Sequence, residues 1–194
     1  MDISELRKGP HLSASAIGDY IDCGLLYKLG RIDKLPMEFR SDSLEFGTAV
    51  HRVLEEYYRM KMEREILSVK DLHQIFEKYW REAAEGKEDI RYSEGKDTNT
   101  LLLEGKELLT VCYNKIQIDH QFKVIGVEEP FSFSLEGCPV PIIGAIDLIE
   151  EDESETLIIT DWKTSSRAYS NDEVDRNFQL TLYQMAGSKG ERIF

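Results

Sequence analysis

The spacing of apolar residues changes near residue 120, and this change restricts the folds that the chain can adopt. Earlier apolar residues recur three or four positions apart, as on one face of a helix, whereas later ones alternate as in β-strands. The first pattern predicts helices over about 13–29, 44–65, 68–86 and 100–118, with a linker at 31–43 and a loop at 87–99. The second predicts strands at 123–129, 131–135, 141–149 and 157–163, then a helix over 172–186. The order favours an α+β fold with helices packed on a mainly antiparallel sheet.

The predicted first helix begins at Ser13 or Ser15, since serine is a good helix N-cap. Its apolar positions are Ile17, Tyr20, Ile21, Leu25 and Leu26.

Length and composition exclude several classes of protein. A chain of 194 residues suits one domain, or one domain with an elaboration. No apolar run reaches the ~18–20 residues that a membrane span needs, and the N-terminus lacks the apolar stretch of a signal peptide. The three cysteines are too scattered for a disulfide framework or a paired zinc motif. We therefore expect a reduced, cytoplasmic protein.

The charge balance is unfavourable for binding nucleic acid. Lysine and arginine number 24 against 37 acidic residues, which gives a net charge of −13. Such a chain repels phosphate unless basic groups are concentrated locally or metal ions intervene. The acidic segment 150–155 is most simply a solvated hairpin turn. A modest basic cluster lies near the predicted linker, at Lys28, Arg31, Lys34 and Arg40.

The predicted hairpin around that acidic turn brings two carboxylates together. If the chain turns about Ser154, Asp147 lies directly opposite Asp161, with Cβ atoms about 4.5–5.5 Å apart. Two carboxylates so close repel each other unless a divalent cation lies between them. Lys163 shares the strand face of Asp161, so a simple salt bridge competes with a metal site, and both aspartates could be ordinary strand-end residues. Trp162 points to the opposite face, towards the core.

Two further groups of residues stand out on helices. His51 lies at the edge of the apolar stripe of its helix, one turn after Gly47, where a glycine lets a backbone or ligand approach closely. Gln179 and Tyr183 are spaced i, i+4 on the last helix and share a face. The simpler interpretation is a core-edge histidine, a surface amide and a packed tyrosine. His11, His73 and His120 lack a comparable context and are taken as structural or surface residues.

Four segments in this order resemble the RecB-like branch of the PD-(D/E)-x-K nuclease superfamily, which includes the nuclease domains of RecB and AddB. The resemblance extends from about His11 to Ala186. The segments are LSASAIGDYIDCGLLYKL, similar to the family's Ser-x-Ser…Tyr…Cys…Tyr helix; FGTAVHRVLE, similar to its Gly-x-x-x-His helix; GAIDLI with IITDWKT, similar to its Gly-x-x-Asp…Asp-Tyr-Lys-Thr core; and QLTLYQMA, similar to its Gln-x-x-x-Tyr helix.

The resemblance implies a fold, a metal site and residue roles. It implies a single domain over 1–194 with a restriction-endonuclease-like core, in which about 1–120 form a helical elaboration and 121–194 the sheet and motif helix. Mg²⁺ or Mn²⁺ would be held by His51, Asp147, Asp161 and the backbone carbonyl of Trp162. Lys163 would act in catalysis with the two aspartates, and the substrate would be contacted by Gln179 and Tyr183. Glu129 is either a further acidic contributor or a surface residue.

Two departures from the family pattern matter. Cys23 occupies the position of the first iron–sulfur ligand of some members, but no later cysteine cluster follows, which argues against an iron–sulfur cluster. The segment SKGERIF follows the motif helix directly where the family continues with a further strand and helix, which is consistent with a shortened chain.

The implied function is metal-dependent hydrolysis of DNA phosphodiesters from an end, in repair, recombination or phage- or CRISPR-type DNA processing. DNA is the implied partner, with a helicase or other DNA-processing subunit as a second. The alternatives are a non-catalytic module that binds DNA or a helicase, and an acidic protein-interaction domain in which Asp161 and Lys163 form only a salt bridge.

Overall fold

The computed structural model describes residues 2–119, 122–165, 167 and 169–188. It contains helices α1 (Ile3–Leu6), α2 (Ala14–Asp22), α3 (Gly24–Tyr27), α4 (Asp42–Met62), α5 (Val69–Ala84), α6 (Thr98–Asp119), α7 (Asn171–Asp175) and α8 (Phe178–Ser188). The strands are β1 (Arg40–Ser41), β2 (Ile90–Arg91), β3 (Lys123–Phe133), β4 (Ile142–Glu151) and β5 (Leu157–Thr160). None of the described helices combines the length and hydropathy needed to cross a bilayer.

The N-terminal helix is shorter and less buried than the sequence predicts. Ser13 caps α2 as expected, its Oγ accepting from the Ala16 amide at 3.2 Å. The helix ends at Asp22, because the backbone of Cys23 is extended (φ −160°, ψ 108°). The chain then forms α3 and a π-helical turn over Lys28–Ile32. The prediction of one helix to residue 29 is therefore wrong. Most of its apolar positions face solvent, since Tyr20, Ile21, Leu25 and Leu26 are all exposed.

Three long helices form the main body. In α5, Ser68 and Asp71 make the reciprocal hydrogen bonds of a capping box, which confirms the predicted start of this helix. On its apolar face Leu72, Phe76 and Trp80 are fully buried, and the helix packs against α4 and α6. Gly105 lets α6 pack closely against α5, because a Cβ at this position would lie 2.1 Å from the Phe76 ring.

The predicted linker and loop at 31–43 and 87–99 contain a small parallel pair of strands, β1 and β2. Buried Asp42 anchors this region, since its carboxylate accepts from the Ser93 amide at 2.8 Å and from the Ser43 amide at 2.6 Å. Arg40 adds ion pairs to Asp89 and Glu45, at 2.8 and 3.0 Å.

The main sheet is antiparallel in the order β3-β4-β5. The two strands predicted at 123–129 and 131–135 form one strand, β3, with a bulge between Val124 and Gly126. Leu148 pairs with Thr160, which is the predicted hairpin register. Leu12 adds a parallel bridge to Ile142, so the sheet is mixed at this edge. These features confirm the predicted α+β class.

Each face of the sheet covers a separate hydrophobic core. The first joins α4, α5 and α6 to Val127, Leu148 and Trp162. The second joins the opposite face to α8, through Phe131, Phe133, Ile142, Ile146, Ile149, Leu182, Tyr183 and Ala186. The predicted last helix over 172–186 is divided into α7 and α8 by Arg176 and Asn177. Asn177 begins α8 by accepting from the Leu180 amide at 3.1 Å.

Candidate metal centre

Three carboxylates lie side by side across the sheet: Glu128 on β3, Asp147 on β4 and Asp161 directly after β5. Val127 pairs with Leu148 and Glu129 with Ile146, so Glu128 lies across from Asp147. The β4–β5 register continued by one residue places Asp161 across from Asp147 on its other side.

Glu128 occupies an unusual backbone conformation within this row. Its φ is 51°, in the left-handed region, and such a conformation costs a non-glycine residue about 1–3 kcal/mol. The pairs on either side of Glu128 hold the strand in place and make this conformation tolerable.

His51 reaches the carboxylates from α4. Its Nδ1 lies 3.8 Å from Oδ2 of Asp147, and its Nε2 lies 2.8 Å from the carbonyl oxygen of Trp162. One ligand atom each from His51, Glu128 and Asp147 lie within 4.8 Å of one another.

The main chain of Trp162 contacts the site on two sides. Its amide donates to Oδ2 of Asp147 at 2.7 Å, while its carbonyl oxygen faces His51. The indole is buried in the helical core as predicted, stacked on Tyr58 at 5.7 Å between ring centroids. This burial fixes both backbone groups at the site.

Burial and mutual repulsion disfavour the ionised forms of the carboxylates in this cluster. Burial raises the pKa of Asp147, with the neighbouring Asp161 charge adding to the effect, while the Trp162 amide opposes it. Burial and the charge of Asp147 raise the pKa of Glu128 to about 7. A cation at this place would supply the missing countercharge.

Asp161, Lys163, Gln179 and Tyr183 form a second group beside the first. Lys163 Nζ lies 2.5 Å from Oδ2 of Asp161, so the salt bridge considered as an alternative is present. Gln179 donates to Oδ1 of Asp161 at 3.0 Å and accepts from Lys163 at 3.3 Å, and its amide nitrogen lies 2.5 Å from the Tyr183 hydroxyl. Burial raises the pKa of Tyr183, which keeps its hydroxyl protonated.

Two glycines allow this arrangement. A Cβ on Gly47 would lie 2.9 Å from the Thr164 hydroxyl, so the close approach expected at Gly47 is made by the segment that carries Lys163. A Cβ on Gly144 would lie 2.5 Å from the Phe131 ring, which packs edge-on against Tyr183.

A groove of about 910 Å³ contains the cluster. Its lining includes His51, Glu128, Asp147, Gln179 and Tyr183. The N-terminal part of the chain, from α1 to the π-helical turn, adds Arg7, His11, Ser13, Ser15 and Arg31.

The placement of individual residues differs from the expectations in three ways. Glu128, which the sequence analysis did not select, lies at the cluster, whereas Glu129 lines a neighbouring cavity with Glu55 and Arg59. The sequence carries no signal that separates the two glutamates, because the β3–β4 register that places Glu128 across from Asp147 includes a bulge between Val124 and Gly126. His11 lines the groove rather than a plain surface, His73 contacts Thr110 at 2.9 Å, and His120 lies outside the described residues.

One protein-family model matches most of the chain. Residues 11–193 match the PD-(D/E)XK nuclease superfamily. The chain belongs to this superfamily. Its helix-flanked antiparallel sheet is consistent with a restriction-endonuclease-like fold, and nucleases of this superfamily hydrolyse phosphodiester bonds with divalent metals. A comparison with curated proteins found no match.

The donor set of this superfamily member fits a hard divalent cation. Carboxylate and carbonyl oxygens with one imidazole suit Mg²⁺ or Mn²⁺ better than a soft metal. The repelling carboxylates, Asp147 and Glu128, provide the charge that such a cation would balance.

Proposed function

We propose that this protein is a divalent-metal-dependent deoxyribonuclease. The observation that carries the proposal is the convergence of His51, Glu128 and Asp147 in one groove, with the Asp161–Lys163 pair beside them. Membership of the nuclease superfamily supports the same reaction.

The metal ligands in this proposal are His51, Asp147, Asp161 and the Trp162 carbonyl, with Glu128 as an added carboxylate. When bound, Mg²⁺ or Mn²⁺ lowers the pKa of a coordinated water and offsets negative charge on the phosphate. The Trp162 amide orients Asp147, as its 2.7 Å hydrogen bond indicates. An iron–sulfur cluster is not part of the proposal.

Lys163 is the proposed catalytic cation. Its ammonium group carries three donors, of which Asp161 and Gln179 take two in this structure. The remaining donor can reach a phosphate oxygen or orient a water for in-line attack. Gln179 and Tyr183 hold Asp161 and Lys163 in position, and we propose that they also contact the DNA strand.

The test is cleavage of linear DNA in Mn²⁺ by the wild type, Lys163→Ala and Asp161→Ala. We expect both variants to lose about 10²–10⁴-fold in rate, the range typical of a positioned acid or base. Lys123→Ala is the matched control, because Lys123 lies on β3 in an exposed pair with Glu151. Unchanged cleavage by both site variants, with intact circular dichroism spectra, contradicts the proposal.

The finer features of the function are also proposals. The order of the four sequence segments supports the RecB-like branch, action from a DNA end, and a cytoplasmic role in repair, recombination or phage- or CRISPR-type processing. Degradation of linear DNA with sparing of closed circular DNA is the expected result, and equal cleavage of both forms excludes end dependence.

The Asp161–Lys163 ion pair favours one non-catalytic alternative, an acidic protein-interaction module in which this pair is only a salt bridge. In that case the pair is structural and the carboxylates hold no cation. Calorimetric titration with Mn²⁺ separates the two functions: heat of binding that His51→Ala abolishes supports the nuclease, and the absence of binding supports the module.

A further inference from the structure

The lining of the groove includes two arginines that the proposed chemistry does not use, together with the acidic residue Asp22. Among the described residues lining the groove, Arg7 and Arg31 are the two with a permanent positive charge. Arg31 is held by Asp19, whose Oδ2 lies 2.8 Å from Nε and 2.7 Å from one terminal nitrogen, and the N–H groups of its other terminal nitrogen point away from this pair. Arg7 forms no ion pair within 4 Å in the described part of the chain, although its charge acts on Glu128 and lowers the pKa of that carboxyl against the rise that burial causes.

Phe178 provides an aromatic surface in the same groove. It is 43% exposed, although it is a large apolar side chain at the start of α8. The other phenylalanine and the tyrosine that line the groove, Phe131 and Tyr183, are buried and pack against each other at 5.8 Å. The next residue after Phe178, Gln179, contacts Asp161 and Lys163, so the exposed ring lies next to the proposed reaction site.

A single DNA strand can offer an unstacked base face together with its neighbouring phosphates. In a duplex the base faces are already stacked, and binding relies on many phosphate contacts, which a groove with two arginines in a chain of charge −13 does not offer. Proteins that bind single strands combine a positive groove with exposed aromatic side chains on which bases stack.

We propose that Phe178, Arg7 and Arg31 form a subsite for an unpaired DNA strand, in which Phe178 stacks on a base and the arginines contact flanking phosphates. This inference rests on the proposed nuclease function and adds the strand state of its substrate.

The test measures the affinity of the full chain for a 2-aminopurine-labelled single-stranded oligonucleotide and for its duplex, with Ca²⁺ replacing Mg²⁺ to limit cleavage. We expect Phe178→Ala to weaken single-strand binding about tenfold and to abolish quenching of the probe, while duplex binding is unchanged. Phe178→Tyr should retain both signals. Tyr169→Ala is the control, since Tyr169 is a similarly exposed aromatic residue outside the groove lining.

The arginines are tested by salt dependence. Removal of one arginine–phosphate interaction should reduce the slope of log affinity against log salt by about 0.7 for a single strand, so Arg7→Ala should show this change and Arg176→Ala should not. A wild type that cleaves DNA, combined with an unaffected Phe178→Ala variant or equal losses on both DNA forms, overturns this inference alone. A wild type that neither cleaves nor binds either DNA overturns the proposed function and this inference together.

Discussion

The helical body and the metal-centre edge of the sheet are built on opposite principles. In the body, α5 fits between α4 and α6 through fully buried apolar side chains such as Leu72, Phe76 and Trp80. At the edge, the buried carboxylate of Asp147 lies near the half-buried carboxylate of Glu128, and burial together with the charge of Asp147 raises the pKa of Glu128. The body therefore provides stability, while the edge gives up stability to hold groups ready for chemistry. Each region has a glycine where a Cβ would meet a neighbouring side chain, Gly105 in the body and Gly47 at the site, which allows a direct comparison.

The largest expected effect comes from Gly105→Ala in the body. The added methyl group would overlap the Phe76 ring, which is fully buried and has no free space. Overpacking of this kind costs about 1–3 kcal/mol of unfolding free energy, occasionally more. Urea denaturation should show that loss with unchanged cleavage per folded molecule.

Gly18→Ala is the matched control, because Gly18 lies in α2 and a Cβ at this position would have no atom within 4 Å. We expect it to be neutral or slightly stabilising, since alanine favours a helix over glycine by about 0.5–1 kcal/mol. Equal stability losses in the two variants would remove the distinction drawn for the body.

Gly47→Ala should reduce the rate of cleavage rather than the stability of the fold. The new Cβ would displace Thr164, and with it the neighbouring Lys163, by a few tenths of an ångström. We expect cleavage to fall about tenfold, within the ~10²-fold penalty of a full 1 Å misplacement, with little change in unfolding free energy. The double variant Gly47→Ala with Thr164→Ala should recover activity. Failure of that rescue would indicate that Gly47 matters for another reason.

The smallest expected effect is a pH dependence of stability in the metal-free protein. The pKa of Glu128 rises from an ordinary value of 4.5 to about 7 on folding, so the folded state binds its proton more tightly than the unfolded chain. Folding is therefore favoured at low pH, and this contribution is lost as pH rises from about 4.5 to 7. Melting temperatures in EDTA should fall over this interval, and Glu128→Gln should flatten the fall.

Glu129→Gln is the control for this measurement. Burial also raises the pKa of Glu129, but the charge of Asp147 is not among the causes. Most of the pH slope should therefore remain in this variant. A larger flattening in Glu129→Gln than in Glu128→Gln would place the unfavourable charge outside the metal centre.

The sequence predicts the parts of this molecule that depend on local rules. The α5 capping box, the hairpin register and the close approach at Gly47 follow from capping, strand pairing and side-chain size. Asp147, Asp161, Lys163 and His51 could be selected because their strands and helix obey these rules.

Features that depend on irregular backbone could not be predicted in this way. Glu128 and Glu129 are adjacent on one strand, and alternation cannot decide which one faces the site when a bulge and a positive φ intervene. Similarly, helical spacing marks Tyr20 and Ile21 as apolar, but burial requires an opposing surface that local sequence does not specify.

The turn between β4 and β5 has a consequence for how the chain tolerates changes in length. Asp152 closes this turn by accepting from the Ser154 and Thr156 amides at 2.8 and 2.9 Å, well away from the groove. Insertions at its tip extend the loop into solvent and leave the paired strands in place. Deletion of a single residue within β5 moves every following side chain to the other face, which would turn Asp161 away from Asp147. Natural variation in length should therefore accumulate at the turn and be absent from the strands.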